Sequence, residues 1–220
     1  MSESSGDSRA AATSTAGWPA GVVGFTLAYM AASVVGAVAS GNREFVFYIV
    51  VMCLLLAIVA AIHRRVRYSR AVLWGLSLWG LAHMAGGLLP VPASWPINGE
   101  HRVLYSWWVI PDLLKYDQIV HAYGFGVTTL ACWEGLAGIL RRAGEQDVQP
   151  TLGRLTLCAA AAMGFGALNE VVEFAATLLV PETNVGGYIN TGWDLVSNLV
   201  GAVLAAVAIR MFSSRRAGRG

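Results

Sequence analysis

The sequence predicts an all-α polytopic membrane protein, a bundle of six transmembrane helices with both termini on the cytoplasmic side. Three observations lead there. Hydrophobic residues make up 56% of the chain and charged residues only 13%, with a mean hydropathy of +0.57, whereas a soluble domain carries about a quarter charged residues. Six apolar runs are long enough for a helix to cross the hydrocarbon core, which takes ~20 residues. The basic residues are also shared very unequally among the connecting segments. The formal net charge of +2 carries little information, because membrane orientation gathers the basic residues at one face, and no nucleic-acid partner is expected.

Residues 1–17 are rich in Ser, Ala and Thr with Glu3, Asp7 and Arg9. They lack a basic leader and a cleavage site and predict a disordered cytoplasmic tail. The expected spans follow at 18–39, 45–63, 71–90, 117–141, 152–181 and 190–212, within a membrane domain of 18–212. The fifth run is long, so it tilts or begins outside the lipid. Residues 213–220 form a basic C-terminal tail. Cys53, Cys132 and Cys158 each fall in an apolar run and predict buried single thiols, with neither a disulfide framework nor metal-ligand spacing.

Orientation follows from Arg and Lys. The N-terminal tail, the loops after spans two and four and the C-terminus together hold 12 of them, among them Arg64, Arg65, Arg67 and Arg70; the opposite side holds three, Arg43, Arg102 and Lys115. The outer loop 91–116 carries Trp95, Tyr105, Trp107 and Trp108, rings that favour the headgroup region. An aromatic belt is the plain expectation. A short interfacial helix around 103–114, capping a site beneath it, is the alternative.

Polar residues inside spans mark functional sites by default, because ionisable groups are costly there. Glu170 and Glu173, three apart, share one face of the fifth span. A rise of ~1.5 Å per residue puts Glu173 roughly 12 Å below the outer surface and His83 roughly 10 Å below it. Asp117 opens the fourth span with His121 one turn deeper, and Asp194 opens the sixth with Asn198 one turn deeper. All seven occupy the outer half of the membrane. No basic residue lies inside the spans to neutralise four carboxylates, and Lys115 reads as distant. Burial then requires protonation or a bound cation, and mixed His and carboxylate donors suit Zn, Mn or Fe. The structural alternative is a set of helix–helix hydrogen bonds, each contributing roughly 0.6–2 kcal/mol. Glu134 belongs to the cytoplasmic end near Arg141 and Arg142, in a structural role, while His63 and His101 read as surface residues. The segment Asp117-x-x-x-His121-x-x-Gly124 also echoes Asp194-x-x-x-Asn198-x-x-Gly201, and small residues beside these faces would let helices approach closely.

At these residues the chain resembles the YjdF-type inner-membrane proteins and, more distantly, the VanZ-like proteins. Tyr116-Asp117-Gln118-x-x-His121 resembles that family's Tyr-Asp-Arg/Lys-x-x-His. Asn169-Glu170-x-x-Glu173-Phe174 is similar to its Tyr-Glu-x-x-Glu-Trp, and Asn190-Thr191-Gly192-Trp193-Asp194 to its Asp-Thr-Gln-Trp-Asp. The resemblance covers roughly the second half of the chain; Asn190 stands where the family pattern has an acid, and Gln118 where it has a base. It implies a multi-pass protein of the bacterial plasma membrane without a settled activity. The VanZ-like relatives imply a link to the cell envelope.

The leading chemical expectation is a metal- or carboxylate-dependent enzyme at the outer leaflet, in its metal form a hydrolase; without a metal a carboxylate pair would do the acid–base work. His121, Glu170 and Asp194 would be its metal ligands, Glu173 or Asp117 its general base, and His83 and Asn198 the residues that orient them. Its partner would be membrane lipid, with a lipid-linked substrate. The rival expectations are a proton- or cation-coupled transporter using the same carboxylates, and a non-catalytic membrane scaffold. Sequence sets neither the substrate nor the oligomeric state.

Overall fold

The computed structural model describes residues 18–217, with side chains described through Ser213. The expected 1–17 tail lies outside the described residues, as do residues 218–220 of the C-terminal tail. Six helices dominate: α1 Ala20–Ser40, α2 Arg43–Val66, α3 Arg70–Leu88, α4 Tyr116–Arg142, α5 Leu152–Leu179 and α6 Tyr188–Ala217. The last runs on into the segment expected to be a tail. Five of the six are long and apolar enough to cross a membrane, at mean hydropathies from 1.3 for α3 to 3.1 for α2. The exception is α4, 27 residues long, which carries Asp117, Gln118, His121 and Glu134 and ends on Arg141 and Arg142.

Local chemistry sets the boundaries. Asn42 Oδ1 accepts the Phe45 N–H at 3.0 Å and Ser69 Oγ accepts that of Val72 at 3.2 Å, so α2 and α3 start on capped turns. Thr151 caps α5 in the same way. Gly41, at φ 67°, ends α1 in the left-handed conformation that costs glycine little. α3 stops at Leu88 and α5 at Leu179, each two residues before a proline, as expected where the pre-proline residue disfavours helix.

The 91–116 loop departs from the interfacial-helix reading. Instead of a helix over 103–114 it forms a 3-10 turn, Leu104–Ser106, followed by a hairpin of β1 Trp108–Ile110 and β2 Leu114–Lys115. Pro111 explains the change: it pushes Ile110 toward extended backbone, and Asp112 completes the reversal at φ 57°. Trp95 and Trp107 stack at 4.3 Å, held by Arg102 Nη2 donating to the carbonyls of Pro92 and Trp95. Tyr105 leaves the belt altogether and points inward, over Gly86, where a Cβ would meet its ring at 2.5 Å.

Helices α4 and α6 form the centre. Their backbones approach so closely at Gly201 that a Cβ there would sit 1.9 Å from the Ala122 carbonyl oxygen. An apolar cluster of Tyr29, Met30, Ala37, Phe45, Tyr48, Met84 and Ala176 joins α1, α2, α3 and α5 toward the end that bears the 91–116 loop. At the opposite end Glu134 Oε2 accepts the Ser69 N–H at 2.7 Å and ties the α2–α3 loop to α4. The expected structural role of Glu134 is thus carried by a backbone amide. His63 is not a surface residue; it is 8% exposed and lies against Trp18 and Tyr68. His101 is exposed. Of the cysteines, Cys158 is buried, Cys132 half-buried and Cys53 exposed on α2, not buried as expected.

Candidate functional site

Each polar side chain reaches the site because of where its helix begins. The β-hairpin delivers Lys115 to the start of α4, and Gln118 Oε1 accepts the Lys115 N–H at 3.0 Å, which closes the first turn. Asp117 falls in that turn, at the positive end of the helix dipole. One turn on, His121 points at α5 and α6. The close approach of α4 and α6 at Gly201 sets Asp194 and Asn198 opposite Asp117 and His121. Gly166 on α5 makes room for Asn198, since a Cβ there would lie 2.7 Å from its Nδ2.

His121 is the hub. Its Nδ1 lies 3.1 Å from Asn198 Oδ1. That oxygen can only accept, so Nδ1 carries a proton in this arrangement, and in the neutral imidazole Nε2 presents its lone pair. Nε2 is 3.6 Å from Asp117 Oδ1 and 3.9 Å from Glu173 Oε1. Glu170 Oε1 lies on the other side, 3.8 Å from Nδ1. Two groups of donors, Asp117–His121–Asp194 and His121–Glu170–Glu173, each place one ligand atom per residue within 4.8 Å of the others. The seven expected residues do meet in space, except that His83 stands at the edge. It hydrogen-bonds Tyr105 through Nδ1 at 2.5 Å and contributes to the wall of the same cavity.

Burial makes the arrangement chemically demanding. Asp194 is 1% exposed and Asn198 fully buried. Asp194 Oδ1, both Glu170 carboxylate oxygens and Asn198 Nδ2 have no hydrogen-bond partner among the described residues. Such groups lose several kcal/mol unless something compensates them. A cation bound to the free oxygens would supply it, and neutral imidazole with carboxylates is a donor set that Zn, Mn and Fe accept.

Four residues escaped the sequence reading. Lys115 is not distant: its Nζ lies 3.6 Å from Asp117 Oδ2 and donates to Asn190 Oδ1. Asn190, through Nδ2, donates to Asp194 Oδ2 at 2.5 Å and to Asp117 Oδ2 at 3.3 Å, bridging the two acids. Asn169 donates to Glu173 Oε1 at 2.9 Å. Tyr105 covers His83; burial, aided by the charges of Asp117 and Glu173, pushes its phenol well above the ordinary range, so it remains protonated. The motif stretches containing Asn169 and Asn190 carried the only hint of these roles. Lys115 and Tyr105 depend on the loop's path, which periodicity does not encode.

Above the cluster a cavity of ≈ 790 Å³ opens between the outer loop, the α5–α6 connection and the helix ends. Glu44 fixes its rim, accepting the Asn184 N–H at 2.9 Å and tethering the α5–α6 connection to α2.

A protein family described as "Predicted membrane protein (DUF2238)" matches residues 22–215. The chain belongs to this family. Membership in DUF2238 takes in all of the helices that build the site and agrees with the YjdF-type resemblance; the VanZ-like one gains no support from it. No curated protein and no solved structure matches the chain.

Proposed function

We propose that this DUF2238 protein is a divalent-metal-dependent hydrolase of the bacterial plasma membrane that acts on a lipid-linked envelope substrate at the outer leaflet. It would span the membrane six times with both termini inside. The observation that carries the metal is Asp194, a carboxylate 1% exposed whose Oδ1 has no partner and which shares a ligand-sized space with His121 and Asp117. We assign the ion to His121 Nε2, Asp117 and Asp194. That exchanges Asp117 for Glu170 relative to the sequence expectation, because Glu170 lies on the protonated side of the imidazole. The ion would lower the pKa of a bound water. Glu173, 3.9 Å from Nε2 and held by Asn169, is the group placed to take that water's proton. Asn198 and Glu170 fix the tautomer and basicity of His121.

The six-span reading adds α4 to the five apolar helices. Its Asp117 and His121 face α5 and α6 within the protein, which is where intramembrane charge is tolerated. The arginine distribution supports the orientation. Single cysteines at Asn98 and Gly144 in a Cys-free background test it: impermeant thiol reagents should label only the first in intact cells.

The decisive experiment is metal content of protein purified without chelator. One equivalent of Zn, Mn or Fe is expected, lost in His121→Ala and Asp194→Asn protein that still inserts. Metal-free protein would overturn the metal. Ion-coupled flux in vesicles that disappears in Glu170→Gln, with envelope lipids unchanged in a deletion strain, would overturn the hydrolase.

A further inference from the structure

A second cavity, of ≈ 250 Å³, lies between α1, α2 and α3, with Val172 of α5 on its flank. Its α2 wall runs from Tyr48 through Met52 and Leu56 to Val59, about 16 Å of helix axis. The lining is almost wholly apolar. Of its polar lining, Thr26 and Ser77 bond to each other at 2.6 Å, Asn169 donates to Glu173 Oε1, and Tyr29 and Tyr48 add phenol hydroxyls. At the outer end Tyr48 and His83 line this cavity and the ≈ 790 Å³ polar cavity alike. This pair of rings, with centroids 5.7 Å apart, thus stands between the two spaces. One space is charged, with Asp117 and Glu173 of the cluster in its wall; the other is greasy, narrow and runs along α2.

We infer that the apolar cavity holds one hydrocarbon chain of an amphiphile whose polar headgroup occupies the polar cavity. The inference rests on the lipid-substrate reading and specifies it: the substrate is recognised through a single chain running between α2 and the α1–α3 pair. A water-soluble substrate would leave the apolar space without purpose, and a void that size forfeits the dispersion contacts of every residue around it. Lipid tails are as apolar as the wall, so selectivity comes from fit along the cavity and not from transfer out of water. Tyr48 and His83 would sit where head and chain join, with Tyr105 above them through its bond to His83.

The test uses full-length protein in phospholipid nanodiscs and an alkyl phosphate bearing a diazirine at the far end of its chain. Photolysis should label the inward residues near Leu56 and Val59 at least fivefold above Val50 and Leu54, which are 65% and 61% exposed toward lipid. Leu56→Trp, or Val59→Phe if the first variant fails to fold, should reduce that labelling at least fivefold while metal content stays unchanged. Equal labelling of the two faces, labelling indifferent to both variants, or a cross-linked dimer in place of labelled monomer would overturn the inference. Measuring metal in the same samples separates the two ideas. Metal-loaded protein that labels only on its lipid face sinks the chain site alone, and metal-free protein labelled inside the cavity sinks the metal alone.

Discussion

Helices α2 and α4 show opposite answers to the same solvent. The first has a mean hydropathy of 3.1, and only 11% of its apolar window is buried inside the protein. Valines and leucines such as Val46, Val50 and Leu54 face outward along it. The second is the only helix of the six that does not read as apolar enough to span, and it packs against α3, α5 and α6. In water the polar helix would lie outside and the apolar one inside. Here the order is reversed, because lipid is no worse a neighbour for leucine than another leucine is. What holds the centre is therefore small-residue contact and polar pairing, and what holds the periphery is the bilayer.

The largest way to break that contrast is steric. Gly201→Leu puts a side chain into the Ala122 carbonyl, backbone that cannot rotate away. It should abolish folded protein or cost well over ~3 kcal/mol, the upper end of ordinary overpacking. Val50→Leu on α2, already exposed to lipid, should stay within about 0.5 kcal/mol. Thermal unfolding in one detergent measures both; equal effects would mean that α4 and α6 do not meet at Gly201.

Next in size is an effect with an unusual sign. In chelated buffer Asp194→Asn removes a buried carboxylate with a free oxygen and should raise the melting temperature. With metal present the order should invert, since ligand at a hundred times its Kd adds about 2.7 kcal/mol to the wild type only. A destabilised Asp194→Asn protein in chelator would show that the carboxylate is structural. Asn198→Ala is expected to be milder: folded protein with metal affinity lower by about 10–100-fold, the usual cost of losing an orienting partner.

How much of this was legible beforehand differs between the same two regions. The α2 span could be read from composition, because lipid exposure writes itself as an unbroken apolar run. On α4 the pattern had to be read as exceptions, and helical rise alone put Asp117, His121, Glu170, Glu173, Asp194 and Asn198 at one depth. Depth is a one-dimensional coordinate; the ring of His121 and the choice between Asp117 and Glu170 at Nε2 depend on rotation about the helix axes, which the spacing leaves open. Lys115 was misjudged for a related reason. A loop residue's distance from a site follows the hairpin's course, and Pro111 with Asp112 turned that course back toward α4. His63 was misread because Trp18 and Tyr68, remote from each other in sequence, close over it.

The smallest expected effect lies at the end of α4 remote from the site, and it asks whether polar pairing matters there. Glu134 is the other carboxylate of α4, and its Oε2 accepts the Ser69 N–H where α3 begins. Ser69 in turn caps α3 through its hydroxyl to Val72. One charge-assisted bond thus orients the short loop that carries Arg67, just past Arg64 and Arg65 in the last turn of α2. The contact is exposed, so water can replace it, and Glu134→Gln, which keeps an acceptor oxygen, should be nearly silent. Glu134→Ala removes the acceptor and should cost about 1 kcal/mol, the usual net worth of such a bond, with metal content unchanged. Loss of metal in Glu134→Ala would mean that the two ends of α4 are mechanically coupled, and that the polar centre extends the length of the helix and is not confined to its N-terminal half.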